Sequence, residues 1–259
     1  MNDHDLGQTL SDLPLGKLRY FDTLGSTNDE ALAWATQGAP DLSLVVADEQ
    51  TAGRGRLGRK WFTPPGAALA FSLVLRPSQD DRPHLSRTVG LAALAVCHTL
   101  SKYSTGAKIK WPNDVLILGR KVAGILVETV WTGDEVDCQV IGIGVNLRKE
   151  AVPYHLVMQF PGTSLEGAGI SVPERSQVLH GILSELISLR NRLVSDEFIK
   201  EWEDQLAFRG EQVILQPQEG ASISGQLLGL EADGSLRLRN EAGVPITIQF
   251  GDVSLRPAA

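Results

Sequence analysis

The stretch "LSLVVADEQTAGRGRLGRKWFTPPGAALAFSLVLRP", Leu42 to Pro77, places a loop rich in glycine and arginine between two strand-like runs. Four cations lie within residues 54–60, and three glycines separate them: Gly53, Gly55 and Gly58. Glycine lets the backbone approach a ligand closely, and clustered cations repel each other unless an anion lies among them. The loop is therefore predicted to hold a small anionic ligand.

The residues of this loop match two nucleotide-binding motifs, but the structural context that each motif needs is missing. The glycines match the dinucleotide fingerprint G-x-G-x-x-G, but that motif needs a helix that begins at the glycines and faces the pyrophosphate. Here Pro64, Pro65 and Gly66 follow, and then a strand. The glycines also resemble a P-loop, but Arg59 and Lys60 stand where the lysine and the magnesium-binding hydroxyl belong. Neither a Rossmann fold nor a P-loop is predicted.

The composition is that of an ordinary soluble protein. The chain has 259 residues, enough for one large core or for a catalytic domain plus a small module, and is 42% hydrophobic and 21% charged. The formal net charge of −7 argues against a general nucleic-acid binder. There is no apolar run of membrane-spanning length, no signal peptide, and no disulfide framework from Cys97 and Cys138. We expect a cytoplasmic protein that binds neither nucleic acid nor membrane.

Helical and strand-like spacing alternate over residues 16–208, the predicted catalytic domain. Thr27 and Glu30 form a capping box at the start of a helix that Gly38 ends. Further helices are predicted over 85–100, 176–193 and 196–207, and strands over 42–50, 67–77, 107–111, 115–131 (as a hairpin) and 136–147. Residues 148–174 are predicted to form a long loop, often a functional lid.

The two ends of the chain do not show the alternating helix and strand patterns of residues 16–208. Residues 1–15 are predicted to form a disordered or loosely ordered tail. From residue 209 to residue 259 short alternating strands follow one another, with turns at 218–220, 232–234 and 241–243 and no helical spacing. This pattern predicts a small β-barrel appended to an α/β catalytic domain.

Five segments in a fixed order resemble the biotin protein ligases, enzymes that attach biotin to carboxylase carrier domains. They are "STND" (Ser26–Asp29), the stretch 48–77, "KWPNDVLI" (Lys110–Ile117), "GRKVAGILVE" (Gly119–Glu128) and "IGIGVNL" (Ile141–Leu147). The resemblance implies an α+β fold, with a mixed β-sheet flanked by helices as in class II aminoacyl-tRNA synthetases. It also implies that the C-terminal module is an SH3-like β-barrel.

The resemblance implies a reaction in two steps, with biotin and ATP as substrates and Mg²⁺ screening the phosphates. The biotin carboxylate would attack the α-phosphorus, giving biotinyl-5′-AMP and pyrophosphate. A lysine of a biotin carboxyl carrier protein domain would then take the biotinyl group and release AMP. Such an enzyme must hold two anions together, which fixed cations and backbone N–H groups make possible.

The resemblance further implies the residues at the biotin end of the site. Biotin binding is expected of eight residues: Ser26, Thr27, Asn28, Gln50, Arg54, Gly55, Arg56 and Lys110. Lys110 would contact the biotin carboxylate and then the oxygens around the α-phosphorus, and Lys110 and Arg56 are the expected catalytic residues. For Ser26 and Thr27, plain helix capping is an equally good explanation.

At the nucleotide end, ATP binding is expected of Arg59, Lys121, Asn146, Thr163 and Ser164. Arg59 and Lys121 would meet the β- and γ-phosphates, and a loop over 160–170 would carry the last two residues over the adenine. Asn113 and Asp114 would either order a turn or help to place magnesium. Trp61 would either pack against the adenylate or support the core, and core support is favoured. The histidines show no ligand spacing, so no metal ligand from the protein is predicted.

Two other functions stay open. A lipoate or octanoate protein ligase shares the fold, although "GRGRLGRKW" and "KWPND" favour biotin. An RNA-binding module built from the loop and the barrel would bind polynucleotide without ATP. The segment before "STND" is too short for the winged helix-turn-helix of repressor relatives, so we expect a monofunctional ligase; the sequence leaves monomer or homodimer open.

Overall fold

The computed structural model of the protein describes residues 3–103, 106–153, 160–217, 220–249 and 253–258. Within these ranges the α-helices are α1 (Asp3–Thr9), α2 (Thr27–Thr36), α3 (Thr88–Ser101), α4 (Arg175–Arg190) and α5 (Asp196–Asp204). None of the helices found there has the length and apolarity needed to cross a lipid bilayer.

The strands mostly follow the predicted positions, but the first of them was not predicted. They are β1 (Leu18–Leu24), β2 (Leu44–Gln50), β3 (Ala68–Leu75), β4 (Lys108–Lys110), β5 (Asp114–Ile117), β6 (Arg120–Thr132), β7 (Glu135–Asn146), β8 (Gln212–Pro217), β9 (Ile223–Leu230), β10 (Leu236–Asn240), β11 (Pro245–Ile248) and β12 (Val253–Pro257). Leu118 and Gly119, both with positive φ, form the turn of the β5–β6 hairpin, one residue before the predicted turn at Gly119 and Arg120.

Seven strands form one mixed sheet in the order β1-β2-β3-β7-β6-β5-β4. β1 and β2 run parallel, and all other neighbours run antiparallel. Helices α3 and α4 cover the large core on one face, and α2 packs on the other face through Ala31, Trp34 and Ala35. β3 is buried along its whole length because both faces are covered. The predicted α+β class with a mixed, helix-flanked sheet is confirmed.

The C-terminal strands form a second, antiparallel sheet in the order β11-β10-β9-β8-β12. Turns at 232–234 and 241–243 connect its strands as predicted, whereas the predicted turn at Gln218 and Glu219 lies outside the described residues. Helix α5 leads into this sheet, and Glu203 accepts a hydrogen bond from the Leu230 N–H at 2.8 Å. The module expected as an SH3-like barrel is thus observed as a five-stranded antiparallel sheet.

The expectation of a loose N-terminal tail is wrong for the described residues. Residues 3–9 form helix α1, and Leu6 and Leu10 are buried in the large core. Asp12 lies 3.0 Å from His180 of α4, which ties the segment down further. Two leucines four residues apart form one helical face, but a single apolar pair in a polar stretch is a weak signal in sequence.

The predicted capping box at Thr27 is also wrong, because Ser26 caps α2. The Ser26 backbone is extended, and its Oγ accepts the Asp29 N–H at 3.5 Å. Glu30 instead pairs with Arg19 of β1 at 2.6 Å. Thr27 therefore lies inside the first turn of the helix, where its N–H and hydroxyl are available to Gln50.

The predicted long loop is partly attached to the large sheet. Residues 154–159 lie outside the described ranges, and short 3-10 turns occur at Lys149–Ala151 and Glu166–Ala168. Next to them, the Lys121 N–H donates to the Pro161 carbonyl, and the Thr163 N–H donates to the Lys121 carbonyl, both at 2.8 Å. These bonds hold residues 161–163 against the start of β6.

Candidate active site

One cavity, here called the central cavity, gathers most of the predicted site residues. It has a volume of about 890 Å³ and lies between the glycine–arginine loop (residues 51–61), the turn that joins β4 to β5, and the middle of β6 and β7. Seven cationic and two acidic side chains line it, in a chain whose net charge is −7. A concave surface with this excess of positive charge favours anionic ligands.

Eleven of the thirteen predicted site residues line the central cavity: Ser26, Thr27, Asn28, Gln50, Arg54, Gly55, Arg56, Arg59, Lys110, Lys121 and Asn146. The other two, Thr163 and Ser164, are buried and do not line it. The Ser164 hydroxyl accepts a hydrogen bond from the Gly167 N–H at 2.9 Å, and the Thr163 carbonyl accepts one from the Asn146 side-chain amide at 3.0 Å. Their positions support a structural role, while Phe160 and Gly162 from the same segment face the cavity.

The end of the cavity beside α2 is lined by a polar network with fixed donors and acceptors. The Thr27 N–H donates to Gln50 Oε1 at 2.8 Å, so the Gln50 amide nitrogen points the other way and donates to Thr63 Oγ1 at 3.0 Å. The Thr27 hydroxyl also lies 3.1 Å from Gln50 Oε1. The orientation of the Gln50 amide is therefore set before a ligand arrives.

Asn28 is held in the same way from two sides. Its Nδ2 donates to Glu128 Oε2 at 2.8 Å, and its Oδ1 accepts from the Ser72 hydroxyl at 2.5 Å. Gly142 of β7 lies directly beneath, where an added Cβ would overlap the Asn28 amide. Only glycine at this position of the strand leaves room for the Asn28 side chain.

Trp61 lies against the middle of the sheet and forms one wall of the cavity. Its ring packs on Gly144, where any Cβ would overlap the indole, and it lies close to Gly124. Lys121 Nζ is 5.4 Å from the ring centroid. The buried indole N–H has no hydrogen-bond acceptor among the described residues. Trp61 thus packs on the sheet and also lines the cavity, so it lies at the ligand side rather than only in the core.

Two lysines and one aspartate form the electrostatic centre of the cavity. Asp114 accepts from Lys110 Nζ at 2.9 Å through one oxygen and from Lys121 Nζ at 2.6 Å through the other. Lys110 and Asp114 are each only 6% exposed. Burial acts to raise the pKa of Asp114, but Lys121 and then Lys110 outweigh it and hold that pKa well below its usual range. The carboxylate is ionised and pairs with both ammonium groups, the buried one of Lys110 and the partly exposed one of Lys121.

The arginines of the glycine–arginine loop are also paired. Arg54 Nη2 lies 2.6 Å from Glu128 and 2.7 Å from Asp29. Burial acts to lower the pKa of Arg54, but the two carboxylates outweigh it and raise that pKa, so the guanidinium keeps its charge. Arg56 Nη1 donates to Asn113 Oδ1 at 3.2 Å, which connects the loop to the turn before β5.

The glycine–arginine loop closes on itself as a tight hairpin. The Gly55 N–H donates to the Arg59 carbonyl at 2.7 Å, and the Trp61 N–H donates to the Gly53 carbonyl at 2.8 Å. Gly53 must be glycine in this arrangement, since a Cβ there would overlap the Trp61 carbonyl oxygen. The hairpin turns through Leu57 and Gly58, both with positive φ.

Several residues of the cavity were not predicted from sequence. Ser72 and Glu128 orient Asn28, and Leu255 and Arg256 of the C-terminal sheet line the cavity. The glycines of "IGIG" gave the one usable signal, because alternating glycines in a strand mark a close approach on one face. The sequence around Ser72 does not distinguish it from other serines in buried strands. No sequence pattern indicates that Arg256 lies near Lys110.

The residues present offer little to a protein-bound metal. No group of three potential His, Cys, Asp or Glu ligands occurs within the described ranges. Both oxygens of Asp114 are taken by lysines, which leaves no free carboxylate for a cation at that position. Asn113 donates its amide to the Ile125 carbonyl at 2.9 Å and so orders the turn.

Comparison with known proteins shows the family to which the chain belongs. Residues 20–146 match the biotin/lipoate A/B protein ligase family, and residues 208–256 match the biotin protein ligase C-terminal domain. The chain belongs to the biotin protein ligase family. The first match ends at Asn146, at the end of β7, and therefore includes both lysines and the glycine–arginine loop.

Relatives and solved structures of this family resemble the chain over most of its length. A biotin–[acetyl-CoA-carboxylase] ligase of Paracoccus denitrificans is 35% identical, over 84% of this chain and 92% of the relative. The bifunctional ligase/repressor BirA of Bacillus subtilis is 35% identical, over 92% of this chain and 74% of the relative. The structure of a biotin protein ligase from Aquifex aeolicus in complex with biotin and ATP has a TM-score of 0.79 at 29% identity, covering 93% of this chain and 99% of that one.

Proposed function

We propose that this protein is an ATP-dependent ligase that activates biotin as biotinyl-5′-AMP and transfers it to a lysine of a biotin carboxyl carrier protein domain. The observation that carries the proposal is the central cavity, where a buried polar network lies beside the buried Lys110 and the partly exposed Lys121. Both the biotin ligases among its relatives and the solved ligase complex with biotin and ATP support this activity. The enzyme is a biotin ligase.

The polar network beside α2 suits the ureido ring of biotin. That ring offers two N–H donors and one carbonyl acceptor, and it needs partners whose orientation is already set. Gln50, Thr27 and Asn28 are such partners, since each is held by neighbours in the structure. The apolar walls that continue from them, Leu126, Ile143 and the glycines of β6 and β7, suit the carbon skeleton of the ligand.

Lys110 is proposed to bind the biotin carboxylate and then the oxygens around the α-phosphorus. Asp114 now holds the Lys110 ammonium in place and balances its charge, as the carboxylate of a substrate would. The incoming anion therefore meets a cation that is already charged and oriented, so little reorganisation is needed. Arg56 of the glycine–arginine loop is proposed to add a second charge-assisted hydrogen bond to the same region.

The triphosphate is proposed to lie toward Lys121 and Arg59, with Asn146 at the nucleoside. Lys121 is a quarter exposed and lies on the open side of Asp114, and Arg59 is exposed at the tip of the loop. Magnesium would enter with the phosphates, since Asp114 has no oxygen free for it. Arg256 from β12 is a further cation at this cavity and a candidate phosphate contact.

The two steps balance without any other reactant. An oxygen of the biotin carboxylate bonds to the α-phosphorus, the bond to the β-phosphate bridging oxygen breaks, and pyrophosphate leaves with the charge. The neutral ε-amine of the carrier lysine then attacks the acyl carbon, AMP leaves, and the amine proton passes to solvent. The cavity charge stabilises the anionic intermediate and keeps it bound between the steps.

The proposal is tested by biotin-dependent exchange of radiolabelled pyrophosphate into ATP. Exchange with biotin, and transfer of radiolabelled biotin to a purified carrier domain, are the expected results. The same assays with lipoate and with octanoate discriminate the related ligases, and transfer of lipoate but not biotin would overturn the biotin assignment. Salt-sensitive polynucleotide binding with no exchange would instead favour an RNA-binding module.

A further inference from the structure

Three consecutive carbonyls of one C-terminal turn accept hydrogen bonds from side chains of the large domain. Ala232 accepts from Arg87 Nε at 2.8 Å, Asp233 accepts from the Ser86 hydroxyl at 2.8 Å, and Gly234 accepts from Trp111 Nε1 at 3.1 Å. The turn joins β9 to β10, far along the chain from all three donors. It is therefore the place where the small sheet is fastened to the domain that carries the central cavity.

The turn is rigid enough to serve as an anchor. The Asp233 carboxylate accepts both the N–H and the hydroxyl of Ser235, at 2.8 and 2.9 Å. The Glu231 N–H donates to the Ser235 carbonyl at 2.8 Å, and Gly234 has a φ of +86°. These local bonds fix the direction in which the three carbonyls point.

Arg87 holds the turn from the α3 side. It is 3% exposed, and its guanidinium also donates to the carbonyls of Leu193 and Ser195, at 2.7 and 3.1 Å. Burial lowers the pKa of Arg87, but an arginine stays protonated at neutral pH. One side chain thus joins the start of α3, the connection from α4 to α5 and the C-terminal turn.

Trp111 is the donor that reaches the active site. Trp111 is 1% exposed. It comes directly after Lys110 in the chain and directly before the turn that ends at Asp114. Lys110 extends its ammonium into the central cavity, while the Trp111 ring lies in the large core with its N–H on the Gly234 carbonyl. The same backbone segment is therefore held from the cavity side by Asp114 and from the opposite side by the C-terminal turn.

We propose that Trp111 is a positioning residue for the activation of biotin, and that it acts through its hydrogen bond to the Gly234 carbonyl. The bond fixes the backbone of residues 110–114 and so the place of Lys110 relative to the reacting oxygens. A displacement of a catalytic cation by a fraction of an ångström weakens its contact with the transition state more than its contact with bound substrate. This inference rests on the proposed role of Lys110.

The test is Trp111→Phe, which keeps the aromatic ring and removes the N–H. We expect the kcat of biotin-dependent pyrophosphate exchange to fall about tenfold, with the KM for biotin changed less than about twofold because the α2 network is untouched. Ser86→Ala is the hydrogen-bond control, since it removes one bond to the neighbouring carbonyl of the same turn. Ile182→Val is the stability control, since it removes one methyl group from the large core in α4 and leaves the hydrogen bonds of the turn in place.

A purely structural role for Trp111 predicts a different result. The kcat at a temperature well below unfolding would then stay at the wild-type value in Trp111→Phe, as in both controls, and the proposal would be overturned. If Trp111→Phe does not fold, Gly234→Ala displaces the acceptor from the other side, because alanine is strained at its positive φ. It should give the same loss of kcat with unchanged KM. Absence of exchange in the wild-type enzyme would refute the proposed function instead.

Discussion

At the residue scale, three cations of the central cavity form ion pairs with carboxylates. Lys110 and Lys121 share Asp114, and Arg54 shares Glu128 and Asp29. An isolated buried ammonium would lose its proton, since burial disfavours the charged form. The carboxylates offset part of this positive charge, and the anion of a ligand can add to that pairing.

Replacing Asp114 by asparagine tests this pairing. We expect Asp114→Asn to lower the free energy of unfolding at pH 7 by about 3 kcal/mol, because the buried Lys110 and the partly exposed Lys121 lose their shared anion. The folded-state pKa of Asp114 is lowered, so its ionised form stabilises the fold above the unfolded pKa of about 3.9 and this contribution is lost as the pH falls further. The difference between variant and wild type in urea unfolding should therefore shrink by about 1 kcal/mol at pH 3. An equal difference at both pH values would contradict the assignment.

Gly142 leaves room for the Asn28 side chain because it has no Cβ, and adding one methyl group tests this. In Gly142→Ala the new Cβ would overlap the Asn28 amide, which Ser72 and Glu128 hold in place. We expect the dissociation constant for biotin, measured by calorimetry, to rise at least about tenfold, which corresponds to 1.4 kcal/mol. Gly7→Ala in α1, where a Cβ meets nothing, is the control and should bind biotin normally. Normal binding by both variants would argue against Asn28 as a contact.

At the element scale, the glycine–arginine loop is a hairpin that is closed by its own backbone bonds. Gly55 and Trp61 donate to the carbonyls of Arg59 and Gly53, and Arg56 attaches the hairpin to Asn113. These bonds give the loop a defined form. Its side chains at 54 and 56 face the cavity, while those at 59 and 60 are exposed at its edge.

Arg56→Gly should loosen the hold on the activated intermediate. The loop loses its side-chain bond to Asn113 and one charge-assisted contact with the adenylate, while the α2 network is unchanged. We expect release of biotinyl-5′-AMP to quicken about tenfold or more, measured by trapping after a rapid chase, with increased labelling of bystander proteins. Lys60→Gly is the matched control: it removes a charge and adds a glycine in the same loop, but within the described residues its side chain makes no hydrogen bond or ion pair. An equal effect of the two variants would refute a specific role for Arg56.

At the scale of the whole molecule, α3 and α5 connect the large core to the C-terminal sheet. The ring of Trp202 on α5 lies on Gly90 of α3, and α5 then leads into the small sheet. Arg87, Ser86 and Trp111 fasten the turn of that sheet from the same side. The two sheets are therefore joined through a close helix contact as well as through hydrogen bonds.

Gly90→Ala should separate these two helices. A Cβ there would overlap the Trp202 ring, which is fully buried and has no space to move into. We expect a loss of about 3 kcal/mol in the free energy of unfolding, measured by urea titration. Gly7→Ala is again the comparison, since alanine is favoured over glycine in its helix. A loss below about 0.5 kcal/mol would show that the contact is less tight than described.

Much of the fold follows from local signals. The β-branched run before the glycine–arginine loop, the hairpin turn at Gly119 and the alternating strands after residue 209 each have a chemistry that specifies one local structure. The sequence errs where the signal is small: one pair of leucines makes α1, and Ser26 rather than Thr27 caps α2. Motifs in sequence also placed most of the cavity, because ligand-binding residues follow directly from strands and turns.

The sequence by itself determined the element order from α2 onward, the two-part organisation and the identity of the cationic loop and lysines, but neither α1 nor β1. The tertiary structure alone decided which groups pair: Asp114 with two lysines, Ser72 with Asn28, and Trp111 with Gly234. It also moved Thr163 and Ser164 out of the cavity lining and brought Arg256 into it. The physical reason is that local structure depends on neighbours in the chain, whereas pairing and burial depend on residues that only the packed sheets and helices bring together.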